Sequence, residues 1–190
     1  LLFFRNPMAA CSTMFRRSCG AELGWYRETG SEDHDFLSRL CDRYDLANIQ
    51  SVLAQYRIWQ GNFTSLYSDK EEATIIACLQ ERGGKLLGEP IPQDAAEALR
   101  MAIVGTTSMS LSQLRSAASL CTQLYRAHRR TSQLSFLEAQ LIRDHISEYF
   151  VLLAREARPS SAITSFWFSA RAIIANPLFV RKILLDRRKK

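Results

Sequence analysis

The sequence lacks the short motifs that usually mark an enzyme or a cofactor-binding protein. It contains no glycine-rich dinucleotide or phosphate-binding motif, no G-x-S-x-G motif and no C-x-x-C pair. Its three histidines are isolated, and none of them shows the H-x-x-x-H spacing of a zinc site. These absences predict a chain that is not an enzyme and that binds neither a cofactor nor a metal ion.

One histidine does have acidic neighbours. His145 follows Asp144 directly and precedes Glu148 by three residues, an arrangement in which a metal-binding or acid-base role can be imagined. The simpler interpretation is an ordinary, partly exposed helical histidine, and we favour it. A small enzyme would require a compact polar cluster around His145.

The five cysteines are odd in number and widely spread, which argues against a disulfide framework. Cys41, Cys78 and Cys121 fall within apolar helical patterns, where a free thiol packs like a small hydrophobic side chain. The cysteines therefore favour a reducing compartment, either the cytosol or an organelle matrix.

Strand signals are nearly absent, whereas apolar residues recur at helical spacing along the chain. Hydrophobic residues make up 47% of the sequence and charged residues 23%, as in ordinary folded proteins. We expect an all-α protein of seven to eight helices in antiparallel hairpins, arranged as an irregular α-solenoid or an orthogonal bundle. The predicted helices begin near residues 33, 46, 69, 94, 111, 134, 162 and 177.

Local signals predict several helix ends. Capping-box patterns begin at Ser68, Ser110 and Ser135, each with a glutamate or glutamine three residues later. Gly83 and Gly84 predict the end of the helix that begins near 69, because glycine tolerates the left-handed conformation of a C-terminal cap.

Basic residues are concentrated at the two ends of the chain. Residues 1–20 carry three arginines and no acid, and residues 181–190 carry six basic residues and one acid. The net charge of +6 therefore leaves −2 for residues 21–180. A nucleic-acid-binding domain usually carries its basic excess on a folded face, so we favour other protein subunits as partners over nucleic acid.

The composition divides the chain into three expected segments: an extended N-terminal arm over residues 1–30, a single helical domain over 31–180 and a basic tail over 181–190. The arm is acid-free until Glu22 and rich in small hydroxyl residues, which is typical of a mitochondrial transit peptide. We therefore expect a mitochondrial protein on the matrix side, with the arm pinned against a partner.

Residues 162–180 are the one apolar stretch long enough to cross a bilayer. Arg171 lies near its centre, where it costs about 2.5–3.5 kcal/mol on insertion scales, and Asn176-Pro177 interrupts the helix. No membrane span is therefore expected.

The stretch "SFWFSAR" places three aromatic residues in succession on a predicted helix. They span about 200° around the helix axis, so at least one should face away from the core of its own domain. The alternatives are a partner surface or a terminal helix wrapped by its neighbours. The basic tail could contact a partner or could simply be a solvated helix end. The candidate partner contacts are Phe15, Arg16, Arg17, Phe166, Trp167, Phe168, Arg181, Lys182, Arg187 and Arg188.

One segment resembles a known family. Residues 36–62, "FLSRLCDRYDLANIQSVLAQYRIWQGN", resemble a pentatricopeptide-type hairpin, with a first helix, a tight turn at residues 44–46 and a second helix. A short chain of about seven helices with degenerate hairpins of this type is similar to the extra, non-catalytic subunit of euglenozoan mitochondrial F1-ATPases. That resemblance implies a protein docked on the outside of the catalytic head.

Together these observations predict a non-catalytic accessory subunit of a large mitochondrial complex, with the F1 head of ATP synthase as the best specific guess. The alternative is an RNA-associated mitochondrial protein, either a ribosomal subunit or a small pentatricopeptide-like RNA binder.

Overall fold

The computed structural model describes residues 8–57, 59, 68–104, 109–132, 135–157 and 161–176. These residues form seven α-helices and no strand, which confirms the all-α prediction. A short 3-10 turn, Ala10–Ser12, precedes the helices. The helices are α1 (Arg17–Leu23), α2 (Glu32–Leu40), α3 (Ser68–Leu87), α4 (Gln93–Val104), α5 (Leu111–Thr131), α6 (Phe136–Ala157) and α7 (Ala162–Ala175).

Most predicted helix starts agree with the structure. The starts near 33, 69, 94, 111, 134 and 162 each lie within two residues of an observed helix. The start near 177 and the basic tail over 181–190 lie outside the described residues. Helix α1 was not predicted.

The chain divides into two compact units, Leu1–Glu81 and Arg82–Lys190, with the boundary inside α3. This division differs from the single helical domain expected over residues 31–180. Helical periodicity identifies the residues that face a core, but it does not show how many cores those residues build.

Residues 8–30 were expected to lie in an extended arm, and that prediction is wrong. They form the 3-10 turn and α1, which packs against α2. Cys19 and Leu23 lie four residues apart on one face of α1, and Phe15, just before the helix, packs on the same cluster. The basic composition concealed this apolar pattern. This face packs on a cluster of buried α2 side chains, Phe36, Leu37 and Leu40.

Helix α1 ends in a tight reversal. Gly24 has a left-handed φ of 73°, and the Trp25 amide then donates to the Gly20 carbonyl at 2.9 Å. A Cβ atom on Gly20 would lie 2.5 Å from the Trp25 ring. Glycine at position 20 therefore allows the indole to fold back onto the helix.

Arg39 of α2 stabilises this reversal of the chain through hydrogen bonds. Its guanidinium donates to the carbonyls of Leu23 and Trp25, the second at 2.7 Å. It also pairs with the buried carboxylate of Asp35 at 2.7 Å. Arg39 thus satisfies two carbonyls at the end of α1 and one buried acid.

The prediction of a helix that begins near residue 46 is wrong. Residues 45–57 and residue 59 are not helical, so the described part of the pentatricopeptide-like segment lacks its second helix. An isolated helix of about 12–15 residues is marginal in water, and most helices depend on packing of their apolar face. Here the apolar side chains are exposed: Leu46, Ile49, Val52, Leu53, Tyr56 and Trp59.

Gly83 and Gly84 do not end their helix, contrary to the sequence prediction. Helix α3 continues to Leu87, and Gly88, with a φ of 78°, follows it. A Cβ atom on Gly83 would lie 2.4 Å from Ile91 Cδ1. Gly83 therefore allows Ile91, beyond the end of α3, to pack closely against the helix, and it does not terminate the helix.

Two predicted capping boxes are present. The Gln113 amide donates to Ser110 Oγ at 3.2 Å, and the Ser110 amide donates to Gln113 Oε1 at 2.9 Å. Ser135 and Glu138 make the same reciprocal pair at 3.3 and 2.8 Å. The hydrogen bonds from Ser135 hold the pKa of Glu138 below its ordinary value.

Helices α6 and α7 form an antiparallel hairpin in the second unit. The buried Ser147 hydroxyl of α6 donates to the Ala172 carbonyl of α7 at 3.1 Å. In return, the Ser165 hydroxyl of α7 donates to the Ala154 carbonyl of α6 at 2.7 Å. These two serines join the helices at two separate levels.

None of the five cysteines forms a disulfide. Cys78 and Cys121 are buried as predicted, and burial raises the pKa of the Cys121 thiol. Cys41 is only half-buried, so its assignment to the core is wrong. It lies just beyond α2, where its thiol donates to the Ser38 carbonyl at 3.3 Å.

Among the helices that the structure describes, none combines the length and the apolar composition that a membrane span requires.

The capping box of α5 yields a stability prediction. Ser110→Ala should lower the free energy of unfolding by about 1 kcal/mol, because it removes the acceptor for the Gln113 amide. Urea denaturation followed by circular dichroism measures this loss. Ser116→Ala, inside the same helix, is the matched control and should be neutral or slightly stabilising, since alanine favours a helix. Equal losses in the two variants would contradict a specific role for the cap.

Candidate functional site

Helix α7 separates the three consecutive aromatic residues of "SFWFSAR". Phe168 is 0% exposed, Trp167 is 47% exposed and Phe166 is 75% exposed. The ring centroid of Phe168 lies 6.4 Å from that of Phe150 on α6. One aromatic therefore anchors α7 in the core, and its neighbour two positions earlier faces away from that core.

Phe166 belongs to a larger exposed apolar surface. Its members share one side of α7, because at 100° per residue their positions fall within about 120° around the helix axis. Its two ends, Ile163 and Ile174, are 84% and 81% exposed. Contiguous exposed apolar surface often marks a site of protein interaction. We call this set the α7 strip: Ile163, Phe166, Trp167, Ile173 and Ile174.

Arg171 lies between the α7 strip and the buried face of α7. Its guanidinium carbon lies 4.4 Å from the ring centroid of Trp167 and 5.5 Å from that of Phe150, and both contacts have cation-π geometry. Its Nη1 also donates to Thr122 Oγ1 at 3.4 Å. Arg171 therefore connects α7 to both α6 and α5.

Arg171 also lines a cavity of about 670 Å³ formed by α5, α6 and α7. Every charged side chain among the described lining residues is an arginine. Three come from α5, one from α6 and one from α7. We call this site the arginine groove: Arg126, Arg129, Arg130, Arg143 and Arg171.

Among the described residues, the contacts of these arginines are with neutral groups. Arg143 donates to the Gln140 side chain at 2.8 Å, and Arg129 lies over the Tyr125 ring at 5.8 Å. Within the described part of the chain, no carboxylate lies in ion-pair distance of the five guanidiniums. Burial also lowers the pKa of the neighbouring His128, which disfavours a further charge there.

The arginine groove corrects one sequence-based expectation. The basic excess was expected only at the chain ends, but the folded body carries a basic face of its own. The net charge of residues 21–180 concealed this face, because the acids that balance it do not line the groove. One signal was available: Arg126, Arg129 and Arg130 share one side of a helix by their spacing.

The predicted contacts near the N-terminus have different environments. Phe15 is partly buried, with its ring centroid 4.7 Å from that of Phe36 and 6.1 Å from that of Tyr26. Arg16 and Arg17 are exposed at the start of α1. The remaining candidates lie outside the described residues: Arg181, Lys182, Arg187 and Arg188.

The polar residues around His145 contact neighbours on α6 and the residue that ends α7. Nδ1 of His145 lies 3.6 Å from Oε2 of Glu148. The Asp144 carboxylate accepts hydrogen bonds from Gln140, at 3.0 Å, and from Asn176 at the end of α7. Over the residues described, no group of three or more histidine, cysteine, aspartate or glutamate side chains is placed to hold a metal ion.

No family model, curated protein or solved structure matches the chain. The α7 strip and the arginine groove are therefore the features of the chain that bear on its function.

The unequal burial of the α7 aromatics predicts unequal effects on stability. Phe168→Ala should lower the free energy of unfolding by about 3–5 kcal/mol, because it leaves a cavity in the core. Phe166→Ala removes the same number of atoms from an exposed position and should change it by about 0.5 kcal/mol or less. Urea denaturation of the two variants measures the difference. Similar losses would show that Phe166 is covered within the isolated chain.

Proposed function

We propose that this protein is a non-catalytic α-helical accessory subunit of a large mitochondrial complex, with the F1 head of ATP synthase as the best specific candidate, and that it acts by protein-protein docking. The observation that carries this proposal is the α7 strip.

The chemistry of the α7 strip supports docking. Its members are large and apolar, and tryptophan and phenylalanine are enriched at the centres of protein interfaces. Phe168 and Arg171 fix the orientation of α7, so the strip is presented in one arrangement before a partner arrives. A preorganised surface loses less conformational entropy on binding than a flexible one.

The first unit offers a second exposed apolar segment. Residues 45–57 carry large apolar side chains that the described part of their own unit leaves exposed, among them Ile49 and Val52, which are 73% and 93% exposed. An accessory subunit could use the α7 strip and residues 45–57 as two separate contacts with its complex. Two linked contacts bind more tightly than either contact alone.

The mitochondrial assignment depends on composition and on resemblance. The acid-free, arginine- and serine-bearing residues 1–20 favour import into the matrix. The choice of ATP synthase follows from the similarity of a short chain of about seven helices to the extra subunit of euglenozoan F1-ATPases.

The docking proposal predicts co-purification. Tagged full-length protein, isolated under native conditions from the mitochondria of its own organism, should bring down F1 subunits that mass spectrometry identifies. Phe166→Asp should reduce their recovery about tenfold or more, because a carboxylate would be desolvated within the interface.

Leu137→Asp is the matched control, since Leu137 is a 72% exposed apolar residue outside the α7 strip, on α6. It should leave recovery unchanged. A wild-type protein that migrates as a free monomer in native mitochondrial extract would disprove the docking proposal. Recovery of a different large complex would support the docking proposal and would exclude ATP synthase as the partner.

One observation favours the alternative, an RNA-associated mitochondrial protein. The arginine groove supplies a basic folded face, which is the feature that such proteins use to hold phosphates. RNA binding of this kind would weaken steeply with salt through counterion release. Co-purification of ribosomal proteins instead of F1 subunits would favour this alternative.

A further inference from the structure

The arginine groove concentrates positive charge that the described chain does not neutralise. Five guanidiniums from three helices border one cavity, and their contacts within the described residues are to neutral groups. Placing like charges together raises the energy of the folded chain unless an anion occupies the space between them. The groove therefore has the electrostatic character of an anion-binding site.

The kind of basic residue points to the kind of anion. All five are arginines, whose planar fork forms paired hydrogen bonds with the oxygens of phosphate. Arg171 is already oriented by Trp167, Phe150 and Thr122, so it loses little freedom when it binds. Arg126, Arg129 and Arg130 are exposed and can adjust to a ligand from the opposite wall.

The size of the cavity suits a small ligand. Sites for small molecules usually enclose about 300–1,000 Å³, and the groove has a volume of about 670 Å³. Its walls are built from three helices around one concavity, and this arrangement suits a compact group that several guanidiniums contact at once.

The aromatic residues of the groove argue against a single-stranded RNA ligand. Proteins that hold RNA strands usually stack bases on exposed aromatic rings. In the groove, Arg129 lies over Tyr125, and Arg171 lies over Phe150, which is itself buried. The rings support guanidiniums and are not presented as platforms for bases.

From this charge, geometry and size we infer that the arginine groove binds a compact, multiply charged phosphate group, either inorganic tripolyphosphate or the phosphate tail of a nucleoside triphosphate. The groove borders the α7 strip, because Ile174 belongs to the strip and also lines the groove. Phe166 does not line the groove, and the inference does not depend on the docking proposal.

Isothermal titration calorimetry of the full chain with tripolyphosphate, at low and at physiological salt, tests the inference. Tripolyphosphate should bind at one site, and ATP should compete with it. Tighter binding of ATP than of tripolyphosphate would assign the nucleotide as the source of the phosphate, and equal binding would assign the phosphate chain alone.

The double variant Arg126→Gln/Arg129→Gln should weaken tripolyphosphate binding by about tenfold or more, because it removes two phosphate contacts. Arg115→Gln is the matched control: Arg115 is an exposed arginine of the same helix that does not line the groove. It should keep the wild-type affinity. Circular dichroism of the variants verifies that each remains folded.

Three results would overturn the inference: no binding of tripolyphosphate at low salt, equal weakening by Arg115→Gln and the double variant, or tight binding of single-stranded RNA without binding of tripolyphosphate. The Phe166→Asp variant distinguishes the phosphate inference from the docking proposal. It should retain wild-type affinity for tripolyphosphate even where it abolishes co-purification, so each proposal can fail without the other.

Discussion

The second unit depends on how one guanidinium is accommodated in an apolar helix. Arg171 lies in the middle of α7, and its charge is stabilised by the rings of Trp167 and Phe150 and by the Thr122 hydroxyl. Satisfying these contacts fixes the rotation of α7 about its axis. With that rotation fixed, Phe168 enters the core and Phe166 faces outward. The exposed apolar strip and the inner wall of the arginine groove are therefore two results of the same orientation.

The sequence predicted features that depend on near neighbours and failed on those that depend on distant ones. The capping boxes at Ser110 and Ser135 were predictable, because a serine and a residue three positions later complete them. The absent helix after residue 45 and the uninterrupted helix at Gly83 were not. In the first case the described residues leave the periodic apolar side chains exposed. In the second case Ile91 packs into the space that a side chain at position 83 would fill. Within the candidate site, the spacing of Phe166 and Phe168 required that one face outward, but only the packing shows which. The groove was missed because its arginines come from three helices.

The two surfaces of the second unit suit different kinds of binding. The α7 strip offers apolar contact, which salt does not screen and which suits a lasting association. The arginine groove offers exposed charge, which salt screens and which suits a ligand that binds reversibly. The proposed docking role and the proposed phosphate site are therefore compatible within one protein, because binding at one surface does not require the chemistry of the other.

The two serine hydrogen bonds of the α6-α7 hairpin have a mechanical consequence. Residue numbers 147 and 172 sum to the same value as 154 and 165, as they must for facing positions in an antiparallel pair. Sliding α7 along α6 by one turn would break both bonds and leave a buried hydroxyl without its acceptor. The two hydrogen bonds therefore fix the register of α7 against α6 and oppose sliding of one helix along the other. A partner that shifted α7 at Phe166 would also move Arg171, because both residues lie on the same helix.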